Sequence, residues 1–190
     1  MITVGDVMNM RAFDSIWLAT PCDGAAAREV TGVGTLDHEP FTGGYEVFTS
    51  GEFVFTTLGF AGVHPDLAEG ALLALIECGV AAVAVKPVVL KELPPTVVQA
   101  SAARGVPVFF YEGRYMERVI ADLMNLLDDD AAEWERNHLI DLILAPSDEH
   151  AVRSTFFTIA GVTGATIQCL AIRPVTDDGA SLRALQKVVE

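Results

Sequence analysis

The sequence predicts an α/β fold: a small, mostly parallel sheet flanked by helices, continued by a partial α+β segment. Three observations carry that expectation. Phe53–Thr57 (FVFTT) is an aromatic and β-branched run of strand character. Ala81–Val85 (AAVAV) is short and wholly apolar, as suits a strand covered on both faces of a parallel sheet. Segments with helical spacing separate and follow these runs, so strand and helix alternate.

The elements follow in chain order. Thr3 is placed to cap a helix over Val4–Met10, with Asp6 in its first turn. A strand around Ser15–Ala19 precedes a Pro/Gly/Ala turn region. Val30–Leu36 is weakly strand-like, loosened by Gly32 and Gly34, and Pro40–Gly51 reads as a loop or bulged ribbon. After FVFTT, Pro65–Cys78 sets Leu67, Ala71, Leu75 and Cys78 on one helical face, and Gly79 supplies the stop. A helix over Pro94–Ala103 opens with prolines and is followed by Gly105. Val108–Phe110 is the next strand. Arg114–Leu127 is a longer helix with Val119, Ile120, Leu123 and Leu126 or Leu127 inward.

The acidic run Asp128–Asp130 reads as a solvated boundary, making residues 1–130 one domain and 131–190 the start of another. In the second unit a helix carries Trp134, Leu139, Leu142 and Ile143 and stops before Pro146. Ser147 caps a further helix, Thr166–Ile172 is a strand, and a last helix starts near Ser181. One strand cannot close a sheet, so this unit reads as truncated.

Composition narrows the function classes. Of 190 residues, 51% are hydrophobic and 20% charged, a globular balance. Mean hydropathy is high at +0.39. Even so, no run approaches the ~20 uncharged residues that a spanning helix needs. The net charge of −14 arises from 26 acidic and 12 basic residues, and the basic ones are scattered singly. Without a basic stripe to neutralise phosphates, DNA binding is not expected of this chain alone. Cys22, Cys78 and Cys169 show no CxxC spacing, and Cys78 reads as a small core residue. The N-terminus lacks the pattern of a signal peptide, which points to the cytoplasm.

No catalytic constellation emerges, and the chain is read as not an enzyme. His38 between Asp37 and Glu39 has no second ligand cluster at metal spacing, so no metal site is expected. Gly32-Val33-Gly34 fails the dinucleotide fingerprint, since Asp37 occupies the third glycine position. There is neither a phosphate loop nor a nucleophile elbow, and no cofactor is implied. Two features invite a ligand. Glu52 leads into FVFTT, which exits through Thr56, Thr57 and Gly59 at what would be the carboxyl end of a strand. The alternative there is a turn whose hydroxyls are satisfied locally. Lys86, directly after AAVAV, would emerge at the same edge, either to meet an anion or to pair with Glu52 or Glu77.

Several of these segments together resemble the sensor domain of purine catabolism regulator-like (PucR-type) transcription regulators. Ile2-Thr3-Val4-Gly5-Asp6-Val7 is similar to that family's "T-V-x-D-L" start, and Arg28-Glu29-Val30 to its "R-x-V". Gly51-Glu52-Phe53-Val54-Phe55-Thr56-Thr57 resembles "G-E-L-V-L-T-T-G", with Leu58 inserted before the glycine. Gly79–Lys86 is similar to "G-V-A-A-L-A-I-K", and Pro94 and Gly105-Val106-Pro107-Val108 keep the family's order. The resemblance covers roughly residues 1–128. The family's acidic stretch is replaced here by Leu36–Pro40 and a longer glycine loop.

The resemblance implies a cytoplasmic, homodimeric sensor of a small metabolite, a purine or nitrogen catabolite. It also implies a degenerate GGDEF-like middle domain beginning after the sensor. DNA would then be bound only through a C-terminal helix-turn-helix absent from this chain. A ligand-free dimerisation module is the competing expectation. The sensor's pattern is also similar to the N-terminal domain of Mur ligases, which implies a small α/β fold without the ligase activity.

Overall fold

The computed structural model describes residues 1–113, 115–144 and 149–161, and the chain divides into two compact units, Met1–Asn137 and His138–Glu190. The first unit opens with β1 (Ile2–Thr3) and α1 (Val4–Met8). A reciprocal capping box starts α1: the Asp6 N–H donates to the Thr3 hydroxyl, while the Thr3 O–H and N–H donate to the Asp6 carboxylate. Those two bonds hold the Asp6 carboxyl below its ordinary pKa.

The remaining strands are β2 (Phe13–Leu18), β3 (Glu29–Val30), β4 (Gly32–Thr35), β5 (Glu52–Thr56), β6 (Ala82–Val85) and β7 (Val108–Gly113). A short α2 (Glu39–Thr42) follows β4, α3 (Pro65–Cys78) follows β5, and α4 (Pro95–Arg104) follows β6. Last come α5 (Met116–Leu144), within which the two units divide, and α6 (Glu149–Ala160) of the second unit.

The fold is α/β, as expected. Five strands stand in the order β2-β7-β6-β5-β4; β4 to β7 are mutually parallel, and β2 joins the edge antiparallel to β7. β1 and β3 form a separate antiparallel pair. Side-chain alternation divides the core into two layers. Val54, Val83, Val85, Val108 and Phe110 pack with α3 and α4. Phe53, Phe55, Ala82, Ala84, Phe109 and Tyr111 pack with α1 and the first turns of α5.

The small residues of β6 have a specific use. β5 and β7 lie on either side of it, some 9–10 Å apart at ordinary strand spacing. Yet the Phe53 and Phe109 rings come within 6.3 Å, and Phe55 and Tyr111 within 5.8 Å, because Ala82 and Ala84 leave room for them to meet. Each of these fully buried rings contributes roughly 2–3 kcal/mol from area alone.

The helix stops behave as the sequence indicates. Gly79 and Gly105 sit just past α3 and α4 with φ of 73° and 65°, left-handed positions where a side chain would be strained. Four expectations need correction. β7 runs on to Gly113, and α2 and a 3-10 turn (Tyr45–Val47) interrupt the glycine loop. Ile2–Thr3 forms a strand that the sequence did not announce. The acidic run Asp128–Asp130 is not a break, because α5 passes straight through it. No glycine or proline stands between Met116 and Leu144, and Asp130 receives the Met1 ammonium. Ser147, Thr166–Ile172 and the helix expected from Ser181 lie outside the described residues.

Arg28 closes the amino ends of the parallel strands. Its guanidinium donates to the carbonyls of Ala81 (2.8 Å), Val80 (2.9 Å), Gly79 (3.4 Å) and Gly105 (2.8 Å). These carbonyls belong to the turns that follow α3 and α4, so one side chain satisfies acceptors just past two helix ends and places positive charge near two negative dipole ends. Beside it, the Val108 N–H donates to Thr20 Oγ1 (3.1 Å), which lies 2.7 Å from Ser101 Oγ, itself 2.6 Å from the Val106 carbonyl. One proton per hydroxyl makes this a directed chain from Val108 through Thr20 and Ser101 to Val106.

Candidate functional site

Ligands in open α/β sheets favour the carboxyl ends of the strands, where connections leave toward the next helix. Here that edge gathers the exits of β4, β5, β6 and β7, and the starts of α3 and α4 lie at the same side. A helix start offers unpaired N–H groups and a positive dipole end, both suited to an anion.

The five residues singled out by sequence do not form one cluster. Lys86 lies beside the exit of β5: its N–H donates to the Thr56 carbonyl at 2.9 Å, and its ammonium reaches the Gly113 carbonyl at 3.4 Å. Thr57 and Lys86 are both half-buried, and Gly59 stands exposed at the start of a 3-10 turn, Gly59–Gly62. Thr56 is fully buried and already engaged. Its hydroxyl donates to the Leu36 carbonyl (3.1 Å) and accepts the Leu58 N–H (3.0 Å). That is the locally satisfied turn, and it holds Leu58 in a left-handed conformation (φ 49°) with its side chain in the core.

Glu52 is the first residue of β5 and Thr56 the last, so about 13 Å of strand separates them at ~3.3 Å per residue. Glu52 takes a hydrogen bond from the Thr49 hydroxyl (3.1 Å) and lies over β4. A Cβ at Gly34 would come 3.1 Å from the Glu52 carboxylate and 3.3 Å from the Phe48 ring. The two glycines of Gly32-Val33-Gly34 therefore make room for Glu52 and Phe48 rather than for a dinucleotide.

The structure adds an aromatic group in which His38, weighed from sequence only for metal, meets rings not singled out by sequence. His38 and Phe41, after β4, meet Phe60 and His64, after β5. Ring centroids lie 5.6 Å apart for His38–Phe41, 6.0 Å for Phe41–Phe60 and 5.6 Å for Phe41–His64. Phe41 is half exposed. Nothing local joins residues 38 and 64; only the parallel pairing of β4 with β5 does. Exposed apolar side chains recur along this edge, with Val63 after β5, Val88 and Val89 after β6, and Tyr115 after β7.

The amino edge offers a different surface, a depression of about 340 Å3 lined by Arg28, Glu29, Thr31, Ser50, Gly51 and Ala81. Its cation is spent on the four carbonyls, so it reads as a by-product of the Arg28 clasp. Among the described residues no group of three His, Cys, Asp or Glu could hold a metal ion, and no helix is long and apolar enough to cross a membrane. Comparison with family models, curated proteins and solved structures finds no match for this chain.

Proposed function

We propose that the chain is the signal-sensing part of a PucR-type bacterial transcription regulator, which binds a small anionic metabolite at the carboxyl edge of its sheet. The carrying observation is that Lys86, which follows β6, is bonded to the end of β5 just before Thr57, on the side where α3 and α4 begin. A hydroxyl, an ammonium and two helix starts favour a compact anionic head, and the rings of Phe41 and Phe60 beside the β4 and β5 exits favour a planar body. Purine catabolites combine both features. The role is binding rather than catalysis, in the cytoplasm, with DNA contacted through a helix-turn-helix outside this chain.

The resembling segments also depend on one another, which supports the family reading. Arg28 of one segment bonds Gly79, Val80 and Ala81 of the second and Gly105 of the third. Loss of any one would disturb the others.

A thermal-shift screen with purines, allantoin, amino acids and nucleotides tests the proposal. A ligand at about 100 times its Kd should add roughly 2.7 kcal/mol and raise Tm by several degrees. Lys86→Ala and Thr57→Ala should abolish that shift, each read against the variant's own unliganded Tm. Silence across the library, or a shift that survives both substitutions, refutes it.

A further inference from the structure

We infer that β2 is the seam of a symmetric dimer, in which two copies of this chain pair their β2 strands antiparallel into one continuous sheet. Among the described residues β2 closes one edge of the sheet and pairs only with β7, on its inner side. Its sequence, Phe13-Asp14-Ser15-Ile16-Trp17-Leu18, contains no lysine, arginine or proline, the residues that commonly guard an open edge. Trp17 and Leu18 are 41% and 40% exposed, and alternation sends them to opposite faces of the sheet. The opposite edge, β4, is shorter and carries two glycines.

The register favours a second copy over an arbitrary strand. The Ala19 N–H donates to the Val108 carbonyl at 2.8 Å, and Trp17 stands opposite Phe110. Antiparallel alternation then turns the N–H and C=O groups of Ile16 and Leu18 to the open side. When two β2 strands meet about a two-fold axis at Trp17, Ile16 of each copy falls opposite Leu18 of the other. Those two pairs exchange four backbone hydrogen bonds. Trp17 then faces Trp17 in the closely spaced, non-hydrogen-bonded position, where cross-strand aromatic contact is strongest.

Asp14 falls opposite Thr20 and Ser15 opposite Ala19. No carboxylate meets its own copy, which matters for a chain of net charge −14. The neighbouring two-fold register, centred on Ile16, would set Trp17 against Ser15 and draw the irregular pairing between Phe13 and Ser15 into the seam. An isologous contact of this kind closes at two copies.

Sedimentation velocity on the 190-residue chain, with amide exchange followed by NMR, tests the seam. The expected result is a monomer–dimer equilibrium in which Trp17→Lys and Leu18→Lys each weaken association by about tenfold or more. Phe41→Lys, an equally exposed apolar site at the other end of the sheet, should leave association unchanged. In the unmodified protein, exchange at the Ile16 and Leu18 amides should slow as concentration rises, while the Trp17 amide, bonded to β7, should not respond. That readout holds even if a lysine variant fails to fold. A monomer at all concentrations overturns the inference, as does a dimer indifferent to both substitutions with concentration-independent exchange at Ile16 and Leu18. Protection of those amides only on addition of another protein would assign the edge to that partner and overturn the symmetric seam. None of these outcomes depends on whether the Thr57–Lys86 edge binds a metabolite.

Discussion

At the amino ends of the parallel strands the half-buried Arg28 and the buried Thr20 and Ser101 are all turned to internal partners. Arg28 clasps four carbonyls, and Thr20 and Ser101 relay one buried chain of hydrogen bonds between β7 and the end of α4. At the carboxyl ends, Thr56 is consumed internally and Lys86 reaches the Gly113 carbonyl. Thr57, Lys86 and the His38–Phe41–His64 rings border solvent, and exposed apolar residues mark the loops. The difference teaches where each end spends its chemistry. Internal polar bonds are concentrated at one edge, and half-buried or exposed polar and aromatic groups collect at the other.

That contrast can be broken most severely at Arg28. Arg28→Ala should cost about 3–4 kcal/mol in urea unfolding, because several partly buried carbonyls lose a charged donor together. Arg28→Lys should recover only part of this, since an ammonium lacks the planar fork. A loss below about 1 kcal/mol would mean that solvent satisfies those carbonyls and that the amino edge is not a clasp.

Gly113→Ala should cost about 2–3 kcal/mol. Its φ is 133°, and an added Cβ would stand 2.7 Å from the Asp14 backbone nitrogen, at the irregular β2–β7 pairing. Because the damage is confined to β2, amide exchange should rise there before it rises in β5 or β6.

Thr56→Val should cost about 1–2 kcal/mol by removing both bonds of the buried hydroxyl. This is the sharpest test within the carboxyl edge: Thr56→Val should lower Tm, whereas Thr57→Ala should change stability by no more than about 0.5 kcal/mol. Equal losses at both positions would erase the distinction between them.

Tyr111 offers a small change in stability at neutral pH and a larger one in alkali. Its ring is fully buried between Phe13 and Phe55, and its hydroxyl has no hydrogen-bond partner. Burial, then the nearby Glu117 carboxylate, pushes its pKa up from 10.0 to about 12. The folded state therefore disfavours the phenolate. Stability is fully present below pH ~10, where the unfolded tyrosine is still neutral, and falls as pH rises toward ~12. Tyr111→Phe should be neutral or slightly stabilising at pH 7, within about 1 kcal/mol, and should flatten that alkaline decline. A clear destabilisation at pH 7 would reveal a partner for the hydroxyl.

Legibility followed the range of the interaction that decides each feature. Pro65–Cys78 and its stop at Gly79 were readable to the residue, because helical spacing, an N-terminal proline and a terminal glycine act within a few positions. AAVAV announced a strand buried on both faces. The α5 break failed because three aspartates were read as a boundary, while the lack of any breaker across Met116–Leu144 was the stronger local signal. The candidate site was legible only in part. Lys86 and Thr57 could be placed at the carboxyl edge because each directly follows a recognisable strand. Thr56 was misassigned because its acceptor, Leu36, lies twenty residues away. The His38–Phe41–Phe60–His64 group had no sequence signal, since its two halves belong to separate loops.

By itself, the sequence determined the α/β class, the alternation of strands and helices and the helix stops. These follow from periodicity and backbone preference, which are properties of neighbouring residues. Only the tertiary structure decided the rest: that Glu52 and Thr56 stand at opposite ends of one strand's environment, that Arg28 closes the amino edge, and that β2 is left as an open edge. Each of these depends on which strand lies beside which, and strand order is set by contacts between residues far apart in the chain.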